Sequence, residues 1–254
     1  MKVITWNVNS VRARLPHVEL FLKEQQPDVL LLQELKCEEH AFPASLLDFG
    51  YNCTIFGQKT YNGVAILSKH PIEDIQKGIP NFEDTAARYV EAFTGGIRVA
   101  SVYVPNGQEI DSKAYHYKLD FLNALHSHCK TLLGFDERLV IGGDFNIAPS
   151  DEDVCNPSAW QGQVLCSQLE RDSWRKITYL GLADAVKDST AGVMPYTWWD
   201  YRKGSFAKDD GLRIDHLLLS PNAADALKTT KVHKNMRGLE RASDHAPVEC
   251  VLTI

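Results

Sequence analysis

Polar and apolar residues alternate from Val3 to Asn9, so that Ile4, Trp6 and Val8 fall on one face of a predicted strand over 2–9 and Thr5, Asn7 and Asn9 on the other. The period then changes. Leu15, Val18, Phe21 and Leu22 form one helical stripe, which has to end before Pro27. Val29–Gln33 is a short apolar run of the kind that makes a buried strand. Residues 52–57 and 63–68 read as paired strands around Asn62-Gly63, a turn-forming dipeptide, and 89–93 and 97–104 bracket a second hairpin signal at Gly95-Gly96. Phe121, Leu122, Leu125, Cys129 and Leu132 mark a long helix, and a strand at 139–142 follows. Leu169, Ile177 and Leu180 mark a further helix, after which strands are predicted at 196–199, 212–219, 229–233 and 248–253.

No linker, low-complexity tract or shift in composition divides the chain, which predicts one domain over residues 1–254. The two halves echo each other. Each has a strand closing on Asn-x-Asn (Asn7, Asn9) or Asp-x-Asn (Asp144, Asn146), then a helix, then hairpins. This predicts an α/β fold in which two sheets pack face to face with helices outside and a site lies where the sheet edges meet.

Composition adds only bounds. With 44% apolar and 24% charged residues the chain is of globular type, and its apolar runs are too short to span a bilayer. The N-terminus lacks the basic-then-apolar pattern of a signal peptide, so a cytoplasmic location is expected. Cys37, Cys53, Cys129, Cys155, Cys166 and Cys250 contain no CxxC pair and no zinc spacing, which suits reduced thiols. The net charge of −6 argues mildly against a polyanionic partner, but its distribution is uneven. Between Arg202 and Arg241 nine basic residues face five acidic ones, a local excess of four positive charges, and it is the local field that guides a polyanion.

The chemistry sits at predicted strand ends. Asp144 and Asn146 share a face beyond Gly142-Gly143, a pair that lets the backbone bend or lets a neighbouring backbone come close. Glu34 closes the apolar strand 29–33, where a carboxylate is unfavourable unless paired or bound to a metal. Arg213 and Asp215 share a strand face, and a local ion pair between them is the plain alternative to a catalytic Asp215. Asp244-His245 precedes Ala246-Pro247 and the last strand. His126 and His128 point in different directions from one helix and read as surface residues. Hard oxygen donors with one imidazole, gathered from both halves, are what Mg²⁺-assisted phosphodiester cleavage requires.

Taken in order, Thr5-Trp6-Asn7-Val8-Asn9, Leu32-Gln33-Glu34-Leu35-Lys36, Asn62-Gly63-Val64, Tyr103-Val104-Pro105-Asn106-Gly107, Gly142–Asn146, Tyr196-Thr197-Trp198-Trp199-Asp200-Tyr201-Arg202, Gly211-Leu212-Arg213-Ile214-Asp215 and Ser243-Asp244-His245 resemble the exonuclease III/AP endonuclease family of the endonuclease/exonuclease/phosphatase superfamily, in a bacterial form. The resemblance covers nearly the whole chain. It implies a four-layer α/β sandwich of the deoxyribonuclease I type, two packed mixed β-sheets flanked by helices. It also implies a Mg²⁺ cofactor, or Mn²⁺ in its place. Glu34 would be the main metal carboxylate, with Asn7, Asp144, Asn146, Asp244 and His245 as further candidate metal residues. Asp144 would orient or deprotonate water, Asn146 would stabilise the pentavalent phosphorus, and His245 with Asp215 would hold a phosphate oxygen. Tyr103 and Asn106 would meet the scissile phosphate, Arg88, Lys36 and Arg202 other phosphates, and Trp198, Leu212 and Ile214 a bare deoxyribose.

The implied partner is double-stranded DNA with abasic sites or 3′ ends, acted on by a monomer. The implied activities are 3′→5′ exonuclease, abasic-site endonuclease and 3′-phosphatase. Two features bear on their balance: Asn9 stands where some relatives carry Asp, and the bulky rim loop 149–168 sets abasic-site cleavage against 3′-end trimming. A superfamily phosphatase, an RNA deadenylase and an inactive lesion-binding protein are the competing readings.

Overall fold

A computed structural model describes residues 1–254. Twelve strands form two six-stranded mixed sheets. The first sheet has the order β11 (Leu227–Val232), β12 (Val248–Leu252), β1 (Lys2–Asn7), β2 (Val29–Gln33), β4 (Val64–Ser68), β3 (Asn52–Phe56). The second runs β5 (Ile72–Lys77), β6 (Tyr89–Thr94), β7 (Ile97–Tyr103), β8 (Leu139–Asp144), β10 (Asp215–Leu219), β9 (Ala183–Asp184). Each sheet holds one central parallel pair, β1 with β2 and β7 with β8, and its other neighbours are antiparallel. The parallel pairs need long crossovers. Helix α1 (Leu15–Gln25) supplies the first and α2 (Lys113–Leu133) the second.

Layering follows from period-two burial. Val3, Val29, Leu31, Val64 and Ile66 of the first sheet meet Val90, Val99, Val140 and Leu217 of the second in one apolar core. The opposite faces are apolar as well, as expected for sheets covered on both sides. Ile4, Trp6, Leu30 and Leu32 pack under Val18, Phe21 and Leu22 of α1. Ala100, Ile141 and Leu218 pack under Phe121, Leu125 and Cys129 of α2 and Trp174 and Ile177 of α4 (Gln168–Thr178). A short helix, α3 (Pro157–Trp160), lies in the rim loop between α2 and α4. The result is the helix–sheet–sheet–helix sandwich expected from the sequence.

Several boundaries and contacts differ from expectation. The first strand stops at Asn7, because Asn9 and Ser10 turn to positive φ (45° and 86°). Strand β8 runs two residues longer, to Asp144. Gly95-Gly96 does form a two-residue hairpin, with Thr94 opposite Ile97, whereas Asn62-Gly63 lies at the end of a seven-residue loop. Strand β5, exposed along most of its length, lacked an apolar signal. Residues 196–199 and 212–214 form isolated bridges, Trp198 to Leu212 and to His245, in place of strands. Leu169 of α4 is exposed and Leu180 lies past its end; the buried stripe is Glu170, Ser173, Trp174 and Ile177. His128 is buried, not on the surface, bonded through Nε2 to Glu91 at 2.6 Å.

The internal echo is real but pairs other strands than those the motifs suggested. By position in the sheet and by crossover, β1-α1-β2 corresponds to β7-α2-β8. Asp144 at the end of β8 therefore matches Glu34 beyond β2, and Tyr103 at the end of β7 matches Asn7 at the end of β1.

Candidate active site

Five strands, β1, β2, β7, β8 and β10, carry polar residues onto the inter-sheet face at one end of the sandwich. Along β1, Val3, Thr5 and Asn7 face inward; along β8, Val140, Gly142 and Asp144 do so. Gly142-Gly143 serves close approach. A Cβ on Gly143 would lie 1.9 Å from the Val102 carbonyl oxygen, and one on Gly142 would lie 2.7 Å from Leu31 of the facing sheet. Above the apolar core, Thr5, Gln33 and Ser101 close on one another, with Gln33 Nε2 donating to Thr5 Oγ1 at 3.0 Å and to Ser101 Oγ at 2.9 Å. The charged residues sit on the next tier.

Asn7 is fully buried and organises that tier. Its Nδ2 donates to Glu34 Oε1 and to Asp144 Oδ2, both at 2.9 Å, so one carboxamide bridges carboxylates from the two sheets. Glu34 itself lies just past β2 at φ 52°, a left-handed turn that aims the side chain back over the strand ends. Asp144 accepts the backbone N–H of Asn146 at 2.9 Å, and Asn146 Nδ2 donates to Val104 O at 3.0 Å and more loosely to Asp144 at 3.3 Å. Asn106 Nδ2 completes the row by donating to Asn146 Oδ1 at 3.2 Å.

The second half of the tier is an Asp–His pair. His245 Nδ1 lies 2.9 Å from Asp215 Oδ2, and Thr197 Oγ1 donates to the same oxygen at 2.6 Å. Arg213 takes no part. Its guanidinium binds Asp153 and Asp184, each at 2.7 Å, which disposes of the local Arg213–Asp215 ion pair. His245 Nε2 stands 3.7 Å from Asp144 Oδ2. Burial disfavours the imidazolium, but Asp215, Asp144 and Asp244 outweigh it and push His245 up to about 10. Burial, reinforced by Asp215 and Glu34 against His245, raises Asp144 to about 7. Tyr103 is pushed well above the usual phenol value by burial and by Glu34 and Asp144.

One ligand atom each from Glu34, Asp144 and His245 lies within 4.8 Å of the others, so this cluster can hold a metal ion. Asp244 stands apart from that trio. Its oxygens accept from Trp198 Nε1 at 3.0 Å and from Asn9 Nδ2 at 2.9 Å. Lys36 Nζ pairs with Glu34 at 2.8 Å and donates to Asn9 Oδ1 at 2.5 Å, while Arg88 stacks over the Tyr103 ring at 4.7 Å.

Two open clefts flank the cluster and share Asn106. One, of about 340 Å³, is lined by Glu34, Lys36, Tyr61, Arg88 and Tyr103 among others. The other, of about 810 Å³, is lined by Gln108, Trp160, Val164, Trp198 and Arg202 among others. Trp160 meets Trp198 edge-on at 6.5 Å. Leu212 and Ile214 do not line this cleft; they are 1% and 2% exposed, packed with Ala148, Val154 and Leu165 behind Trp198. Arg202 lies at its edge, bound to Asp200. The basic excess of 202–241 is partly spent internally, on Arg213 as above and on Arg237 over Tyr201 at 5.0 Å.

Sequence reasoning gave no role to Thr197, to Ser243, whose Oγ donates to Asn7 O at 2.7 Å, or to the Asn9–Asp244–Trp198 chain. Each lies inside a quoted motif, but only the tertiary contact gives it a role.

A buried row of carboxylates, carboxamides and an imidazolium beside an open trough defines a phosphoester hydrolase site. The model of the Endonuclease/Exonuclease/phosphatase family matches residues 4–245, and the chain belongs to that family. It is 32% identical to exodeoxyribonuclease III of Haemophilus influenzae, with 98% of each chain covered. Among solved structures it is similar to a 3′ phosphatase from Neisseria bound to a product DNA hairpin, at 42% identity, TM-score 0.98 and full coverage of both chains. It is also similar to an AP endonuclease from Archaeoglobus fulgidus, at 35% identity and TM-score 0.96, again with full coverage of both.

Proposed function

We propose that this chain is a DNA repair nuclease: a divalent-metal-dependent phosphoesterase that acts on duplex DNA as a 3′→5′ exonuclease and 3′-phosphatase and cuts at abasic sites. The observation that carries the reading is the single cradle of Asn7, Glu34, Asp144, Asp215 and His245 at the meeting of the two sheets. We take it to work as one domain, a cytoplasmic monomer; no helix is long and apolar enough to cross a membrane.

The donor set fits Mg²⁺ or Mn²⁺, which prefer hard oxygen ligands. Glu34 would be the principal ligand, its carboxylate held in place at the cleft by Asn7 and Lys36. When bound, the ion neutralises phosphate charge and stabilises the departing oxygen. His245 does other work. Held at Nδ1 by Asp215, which favours the imidazolium, its ring offers Nε2–H to a phosphate oxygen. A protonated His245 is no base, so proton abstraction falls to Asp144, whose carboxylate is held beside it by Asn7 and the Asn146 N–H. Asn146 and Asn106 meet charge that grows on phosphorus, Asn146 by releasing its 3.3 Å contact to Asp144. Tyr103 and Arg88 hold the scissile phosphate from the smaller cleft.

A second reading, restriction to 3′-end processing, is favoured by Trp160, which stands against Trp198 where an extruded abasic sugar would enter. One labelled duplex panel tests both, with an abasic analogue, a recessed 3′ end and a 3′-phosphate, each with Mg²⁺ and with EDTA. Metal-dependent cleavage of all three supports the full reading, and of the 3′ substrates alone the restricted one. Release of phosphate from a soluble inositol phosphate, with DNA untouched, would refute both.

A further inference from the structure

The carbonyl oxygens of Asn106 and Asn146 accept no backbone N–H. Asn146 adopts φ 51°, and the contact its carbonyl makes is buried. Both oxygens meet instead at Lys118 Nζ, 3.1 Å from Asn106 O and 2.6 Å from Asn146 O. Lys118 projects from the second turn of α2 and is fully buried, and its third partner is Glu170 of α4, equally buried. Three ammonium N–H groups thus have three acceptors, so the head group has one orientation. Gly107 allows the loop to cross this side chain; a Cβ there would lie 3.2 Å from Lys118 Cδ.

Glu170 extends the connection. It accepts the N–H of Leu165 and of Ser167, both at 3.0 Å, and so ties down the rim loop whose Val164 and Leu165 line the larger cleft. One buried pair therefore fixes the two carboxamides of the site from below and the wall of the cleft from the side.

We infer that Lys118 and Glu170 form a positioning pair that sets Asn106 and Asn146 for the transition state, without touching substrate. The inference rests on the proposed phosphoesterase reading. A buried polar partner behind a functional group holds its angle, and losing such a partner lowers activity by about 10–100-fold.

The test uses Lys118→Met/Glu170→Gln, in which removal of both charges avoids an unpaired buried carboxylate and Gln keeps an acceptor for the rim loop. The readouts are kcat and KM on a duplex with a 3′-phosphate, Mn²⁺ affinity, and Tm. The expected result is kcat lower by about 10–100-fold, with KM and Mn²⁺ affinity near wild type in a folded protein whose Tm is lowered by the two carbonyls left without a donor. Lys118→Arg is the second variant. It keeps the charge for Glu170, but its planar fork cannot serve these three acceptors, and the same fall in kcat is expected. Wild-type kcat in either folded variant overturns the positioning role while the reading stands. A wild-type protein that releases no phosphate overturns both together.

Discussion

Replacing Asp215 by Asn removes one charge from the deepest contact of the site and leaves its shape nearly unchanged. Asp215 is fully buried, accepts from Thr197 Oγ1 at 2.6 Å and holds His245 Nδ1 at 2.9 Å. Burial works against the imidazolium, and Asp215 is the first of the groups that oppose it to bring His245 to about 10. An opposite charge at this range is worth about 1–3 pKa units, so the ring in the variant should titrate at about 7–9. Each unit is about 1.4 kcal/mol. The sign is fixed by linkage. A histidine raised on folding stabilises fully below its unfolded value near 6.5, and that stability is lost as pH rises through about 10. The variant loses it sooner, so its deficit is full near pH 7 and closes by about pH 10. Turnover should fall by up to about 100–1,000-fold, the range for a lost or misaimed donor to the developing charge. NMR titration of the ring in metal-free protein, with turnover on a 3′-phosphate duplex, checks both parts. A ring that still titrates near 10, or turnover close to wild type, would refute the reasoning.

Three further outcomes are expected. Because burial raises Asp144 to about 7 in the metal-free protein, a Mn²⁺ ion bound beside it at Glu34 disfavours its protonated form; calorimetry should show affinity rising by up to about tenfold per pH unit and levelling above 7. Arg213→Met strands Asp153 and Asp184 without their buried partner and should destabilise by about 3–5 kcal/mol, a Tm lower by about 6–20 °C in calorimetric scans. Trp160→Ala removes an aromatic contact worth about 0.5–1.5 kcal/mol, and should raise abasic-site cleavage relative to 3′-phosphate release by about two- to tenfold. An unchanged ratio would free the rim loop of any part in selectivity.

Much of this was legible in the chain. Alternation along residues 3–8 and the apolar run Val29–Gln33 identified central strands, because sheets buried on both faces leave little room for other patterns. The motif residues Asn7, Glu34, Asp144 and His245 do converge, since Asn7 and Asp144 end strands, Glu34 follows β2 and His245 precedes the antiparallel β12, all at the same side of the sandwich. What was hidden depends on contacts distant in sequence. Arg213 lies two residues before Asp215, just ahead of β10, yet its partners are Asp153 and Asp184, 60 and 29 positions away. His128 looked like a surface residue because its partner, Glu91, lies on a strand of the sheet beneath α2. Strand β5 carries no periodic apolar signal, because an exposed edge needs none. The strand pairing of the two halves was misread from the similar tripeptides at Asn7 and Asp144, whereas position in the sheet relates Asp144 to Glu34.

The central claim is that both sheets contribute to one acidic cradle for a divalent cation. Anomalous diffraction from crystals grown with Mn²⁺ tests it most directly. The account predicts a peak within about 2–2.5 Å of a Glu34 carboxylate oxygen. A peak elsewhere, or none, from protein that still hydrolyses the 3′-phosphate duplex with Mn²⁺ would contradict it.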